Sequence, residues 1–255
     1  MNNKSQAKKA QSWINQIKVY QKKAPDLFNE DVKKSDSEFK IDHYFDILDR
    51  IELEKGWRVD YLYLQERLGG EPIIIAYPEL KETEYKEIIN KINDNDLNYK
   101  ARDYDLENII DTFLNYEDVD NYLNHIKLDG SEESYLQFVI LAELGSQFAL
   151  FWHALYNDKE FVCTSEKSEK IINKINRSDE EMDFMEDDIF DEKLKKIDFK
   201  PQINIRNDKT VVRMVFFTKW GGFIEAKYQV KKSFPHNIIE RETETLIEYD
   251  CGYVY

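Results

Sequence analysis

Three features of the chain predict an α+β fold, a mostly antiparallel sheet built from hairpins and packed with helices. Several segments carry apolar residues at helical spacing, and others alternate apolar with polar residues between turn-forming pairs. With 255 residues, 42% of them apolar, the chain can also fill a sizeable core.

Residues 1–23 carry Lys4, Lys8, Lys9, Lys18, Lys22 and Lys23 and no acid, while Trp13, Ile14, Ile17 and Tyr20 share one helical stripe. A basic amphipathic helix is expected, ending near Ala24 because Pro25 disfavours helical backbone before it. Its stripe fits docking on the protein's own acidic body; the competing use is an acidic membrane surface or partner. In GWRVDYLYLQERLGGEPIIIAYP (56–78), Trp57, Val59, Tyr61 and Tyr63 alternate, Gly69 and Gly70 supply a turn, and Ile73 to Ile75 open the return strand. Helical spacing follows in 83–92, 106–126 and 131–144, the last with Asp129 or Ser131 as its cap and Gly145 as its stop.

Strands are expected at 148–156 and 160–164, and a helix at 165–177. Residues 203–232 read as a three-stranded meander with turns at Asn207-Asp208 and Gly221-Gly222, and IIERETETLIEY (238–249) alternates again. A soft boundary near Leu128-Asp129-Gly130 divides an N-terminal helical region with one hairpin (1–128) from a C-terminal α+β region with the meander (129–255). One continuous domain is the alternative.

Lys plus Arg number 36 against 51 Asp plus Glu, a formal net charge of −15, so most of the surface repels a phosphate backbone and nucleic acid is not an expected partner. No apolar run approaches the roughly 18 residues of a membrane span, and the lysine-rich N-terminus lacks the apolar core of a signal peptide. Two cysteines, Cys163 and Cys251, build no disulfide framework, so a reduced cytoplasmic setting is expected. The run SDEEMDFMEDDIFDE (178–192) holds acids and no base; Glu186, Asp187 and Asp188 are its candidates for contact with a basic protein.

Catalytic signatures are missing: GxGxxG, GxxxxGK[ST], HExxH, GxSxG and CxxC are all absent. His153 and Cys163 invite a nucleophile and base. A two-residue turn within Asn157-Asp158-Lys159 nevertheless puts Cys163 on the face of Trp152 and Ala154, and His153 on the other. DNDLNYKARDYD (94–105) offers Asp94, Asp96 and Asn98 at calcium-loop spacing, yet Tyr99 stands where glycine must turn and Asp105 where a longer Glu closes the site. His43 beside Asp46 reads as a surface pair. No catalytic residue, metal site or cofactor is therefore expected.

Arg213, interrupting an apolar strand, and Trp220, beside a glycine turn, form the best candidate binding patch, since both residue types often anchor partners. The structural alternative is a salt-bridged Arg213 and a Trp220 folded over the hairpin end. Two functional classes remain at this stage. One is a non-enzymatic binding protein of the inhibitor or immunity kind with a basic partner; the other is a carboxylate- or metal-dependent enzyme assembled from distant segments.

Overall fold

The computed structural model describes residues 3–25, 33–63, 71–96, 112–150, 154, 159–175 and 187–249. The basic helix forms as α1 (Asn3–Gln21). Ala7, Ala10, Gln11, Ile14, Ile17 and Gln21 are buried at helical spacing, so its inner stripe docks on the protein itself. It packs against α2 (Tyr44–Ile47) and α4 (Glu132–Leu144), and Lys9 Nζ reaches Glu133 Oε1 at 2.7 Å.

Helix α4 is the central rod: every residue from Glu133 to Leu141 is buried, as its nearly all-round apolar sequence requires. Ser131 caps it, its Oγ accepting from the Ser134 N–H at 3.1 Å. Gly145 follows, but with right-handed backbone (φ −53), so it is no left-handed stop. It is glycine for space, since a Cβ there would lie 2.6 Å from the Leu141 carbonyl oxygen and 2.9 Å from the Tyr122 hydroxyl.

Among the described residues three sheets accompany this rod, all with antiparallel pairing. β1 (Ile51–Leu53) pairs with β5 (Ile126–Leu128), and β2 (Trp57–Leu62) with β3 (Ile73–Pro78) as the expected hairpin, flanked by β4 (Asp120–Asn121). Val59, Tyr61, Ile74 and Ala76 join the main core, while Leu62, Ile75 and Tyr77 meet Tyr85, Ile89 and Ile92 of α3 (Glu82–Asp96). The helix expected over 106–126 does not reach its predicted end: β4, a 3-10 turn at Tyr122–His125 and β5 occupy that stretch. Tertiary pairing overrides the helical spacing here, because Asn121 pairs with β3 and Ile126 with β1, in different sheets.

The third sheet is the meander enlarged to five strands. β8 (Lys209–Thr218), β9 (Gly222–Lys231) and β10 (Ile238–Ile247) follow one another, and β6 (Glu160–Val162) and β7 (Gln202–Ile205) share the other edge of β8. Val212, Met214, Phe216, Ala226 and Tyr228 face the core containing α4. On the opposite face, Val215, Phe217 and Phe223 form a second core with Ile171 of α5 (Ser165–Ile175) and, at its margin, Leu194 of α6 (Asp187–Lys196). No helix among the described residues is long and apolar enough to cross a membrane.

The β8–β9 turn depends on Gly222, whose φ is +76 and whose Cβ position would fall 2.1 Å from the Ile247 carbonyl oxygen. Gly222→Ala is expected to cost about 1–3 kcal/mol from backbone strain alone, before any clash. A urea titration should show this as a lower midpoint at unchanged slope.

Candidate functional site

Arg213 lies in β8 on the face shared with α5 and α6, with its side chain only 13% exposed. Its Nη2 and Nε each stand 2.6 Å from Glu225 Oε2, and Nη1 donates to the Asp198 carbonyl at 2.6 Å. The guanidinium is thus committed inside the protein, tying the sheet to the segment that enters β7. Trp220 is half-buried against the second core. Asp187 and Asp188 open α6, and Glu186 lies outside the described residues. Burial would raise the Glu225 carboxyl, but hydrogen bonds and charge from Arg213 and Lys227 outweigh it and hold its pKa below the ordinary value.

Most of the first strand of the expected 148–156/160–164 hairpin lies outside the described residues. Gln147 to Leu150 is irregular, and β6 pairs with β8, Phe161 opposite Phe216 and Val162 opposite Val215. His153 lies outside the described residues; Cys163 follows β6, buried, and burial pushes its thiol pKa well up.

Asp94, first of the calcium-like spacing, accepts from the Lys34 N–H at 2.8 Å and the Ser35 hydroxyl at 3.1 Å. Residues 97–105 of that stretch lie outside the described residues. Among the described residues no group of three His, Cys, Asp or Glu side chains could hold a metal ion. His43 Nδ1 does meet Asp46 Oδ2 at 2.8 Å, with 47% and 74% of the two side chains exposed. That is the surface pair expected from their spacing.

Sequence reasoning missed a second histidine cluster. His125 stacks on Trp57 and sets Nδ1 3.1 Å from Glu54 Oε2 and Nε2 3.3 Å from Asp120 Oδ2. The two carboxylates sit at opposite ends of the ring, so they position it and do not converge on a common point. No local signal could reveal this, since Glu54 is 71 residues away. Lys34 and Asp60 form a further unforeseen pair at 2.7 Å, nearly enclosed. Desolvation lowers the Lys34 pKa despite the attraction of Asp60.

The most exposed long strand among the described residues is β10. It is the terminal strand of its sheet, ten residues long, exposed at every position from Ile239 to Thr245. Among the described residues no strand pairs with its outer edge. Glu240, Glu242 and Glu244 stand opposite Gln229, Lys227 and Glu225, so they project on the Arg213 face; Arg241 points the other way, 3.6 Å from Glu143. Glu242 and Glu244 make no ion pair among the described residues. Among the described residues the strand therefore offers unpaired backbone groups together with a row of carboxylates. Comparisons with family models, curated proteins and solved structures gave no match for this chain.

Two measurements check these placements. Arg213→Met should destabilise the protein by about 2 kcal/mol at neutral pH, a partly screened version of breaking a buried pair. Because the folded pKa of Glu225 is depressed, its stabilisation is present above the unfolded carboxylate pKa and lost as pH falls. The gap between variant and wild type should accordingly narrow on acidification in chemical denaturation series. In a Cys251→Ser background, Cys163 should react with a thiol reagent only on unfolding; rapid labelling of the native protein would contradict its burial.

Proposed function

We propose that this chain is a non-enzymatic protein-binding module, of the inhibitor or immunity kind, which docks a basic partner along β10. The observation that carries the reading is the long exposed edge strand with Glu240, Glu242 and Glu244 on one face. An added strand would satisfy the free N–H and C=O groups of that edge, and these main-chain bonds are non-selective. Selectivity comes from the carboxylates, which attract Lys and Arg side chains at alternate positions of the incoming strand and repel phosphate. The net charge of −15 extends that attraction to the encounter itself, so association weakens as salt rises. A cytoplasmic setting accords with this reading, given few cysteines and a buried Cys163 thiol.

The competing use of such charges is protection of an exposed edge against aggregation. Affinity capture from the source lysate, with the wild type and a Glu240→Lys/Glu242→Lys/Glu244→Lys variant, separates the two. Wild type should retain a basic protein at low salt, release it at high salt, and lose it in the variant by tenfold or more. Retention of nothing, of nucleic acid, or of the same protein by the variant would overturn the reading. Aggregation of the variant alone would assign the charges to edge protection.

A further inference from the structure

Helix α1 turns a second, outer stripe away from the core. Lys8, Ser12, Asn15, Gln16, Val19 and Lys23 recur along one side and floor a trough of about 650 Å³. Thr164 and Glu166 bound it near Gln11, which is bonded to the Cys163 N–H, and His43 and Ile47 bound it near Tyr20, whose ring lies 4.3 Å from that of His43. Val19 is 62% exposed on this floor, the largest exposure of an apolar side chain on α1, and Ile47 and the Tyr20 ring continue the apolar strip.

The charges on this floor differ from those of the rest of the helix. Lys9 is committed to Glu133 and Lys18 bonds to Gln147. Lys8 and Lys23 make no ion pair among the described residues; Lys23 Nζ stands over the Tyr20 ring at 5.6 Å. At a rise of about 1.5 Å per residue the two lysines are roughly 22 Å apart along the axis. One small anion cannot reach both, because an ion pair spans only about 4 Å. A chain molecule can: about seven residues of extended peptide, at about 3.3 Å each, cover that distance. Thr164 and Glu166 on one side and His43 and Ile47 on another border this shallow, open floor, leaving a lane in which one extended chain can lie.

We infer that this trough is a docking site for an extended peptide segment of a partner protein, acidic at both ends and apolar between. Its terminal carboxylates pair with Lys8 and Lys23, and its central side chains cover Val19 and Ile47. Charge complementarity selects it: the floor carries Lys8 and Lys23 and no acid, Glu166 on the wall is the single carboxylate among the lining residues, and the chain as a whole carries −15, so the trough is basic on an acidic protein. The inference uses no residue of β10, and the two readings can fail separately.

Fluorescence anisotropy with two labelled seven-residue peptide pools tests it on the full chain. One pool has Glu at its first two and last two positions and mixed Leu, Ile, Val or Phe in the middle three; the other has Lys in place of Glu. The acidic pool should bind saturably and the basic pool should not. Affinity should fall at least tenfold in Lys8→Glu/Lys23→Glu and several-fold in Val19→Ser, with circular dichroism unchanged because all three side chains are exposed. The triple β10 variant should bind the acidic pool as well as wild type. Absence of saturable binding, equal binding of both pools, or unaltered binding by the α1 variants would overturn the proposal. Sedimentation with phosphatidylserine vesicles without peptide binding would also overturn it, assigning the lysines to a membrane surface.

Discussion

Three backbone carbonyls at the C-terminal end of α4, those of Leu141, Leu144 and Gly145, accept buried side-chain bonds; Leu141 and Leu144 also accept the N–H of Gly145 and Gln147, while no backbone donor reaches the Gly145 carbonyl among the described residues. Without a donor, the Gly145 carbonyl would cost about 1–3 kcal/mol. Side chains from three other parts of the chain supply donors: the Tyr122 hydroxyl to Leu141 at 3.1 Å, Gln21 Nε2 to Leu144 at 2.5 Å, and the Tyr44 hydroxyl to Gly145 at 3.0 Å. Burial pushes both tyrosine hydroxyls well above their ordinary pKa, so they stay protonated as donors. Helix α1, helix α2 and the 3-10 turn before β5 are placed by these bonds. Gly145 has no side chain because the same hydroxyl occupies that space.

Buried amides extend the pinning. Gln11 donates to the Phe161 carbonyl and accepts from the Cys163 N–H, fastening α1 to β6. Gln137 accepts from the Arg50 N–H and donates to Asp49, fastening α4 to the turn before β1. An amide offers donor and acceptor at one site, so it can satisfy backbone at an element's end without bringing a charge inside. Once the inner stripe of α1 is held this way, its outer stripe is left facing solvent with Lys8 and Lys23 at either end.

The larger sheet is subject to a different constraint. β8 is covered on both faces, and Arg213 is tolerated there because Glu225 and two carbonyls of the segment before β7 take up its donors. Coverage fades along β10: Ile247 sits in the second core and Ile238 packs at the margin of the first, while Ile239 to Thr245 between them remain solvated. A strand in that position can be kept from aggregation, or used, by the same carboxylates.

Elements whose pattern and terminators agreed were legible in the sequence. Ser131 before an apolar run, Asn207-Asp208 and Gly221-Gly222 between alternating strands, and Pro25 after a basic amphipathic segment each gave a local reason that the structure kept. The alternation of Glu240, Glu242 and Glu244 marked a strand, although nothing local said that it would lie at an edge. Where pattern stood without a terminator, over 106–126, pairing with distant strands decided its last part. The Arg213–Glu225 pair, the His125 cluster and the glutamine and tyrosine caps of α4 were also decided in three dimensions. A polar side chain shows its type in the sequence, but its burial and its partner exist only once segments far apart in the chain are packed together.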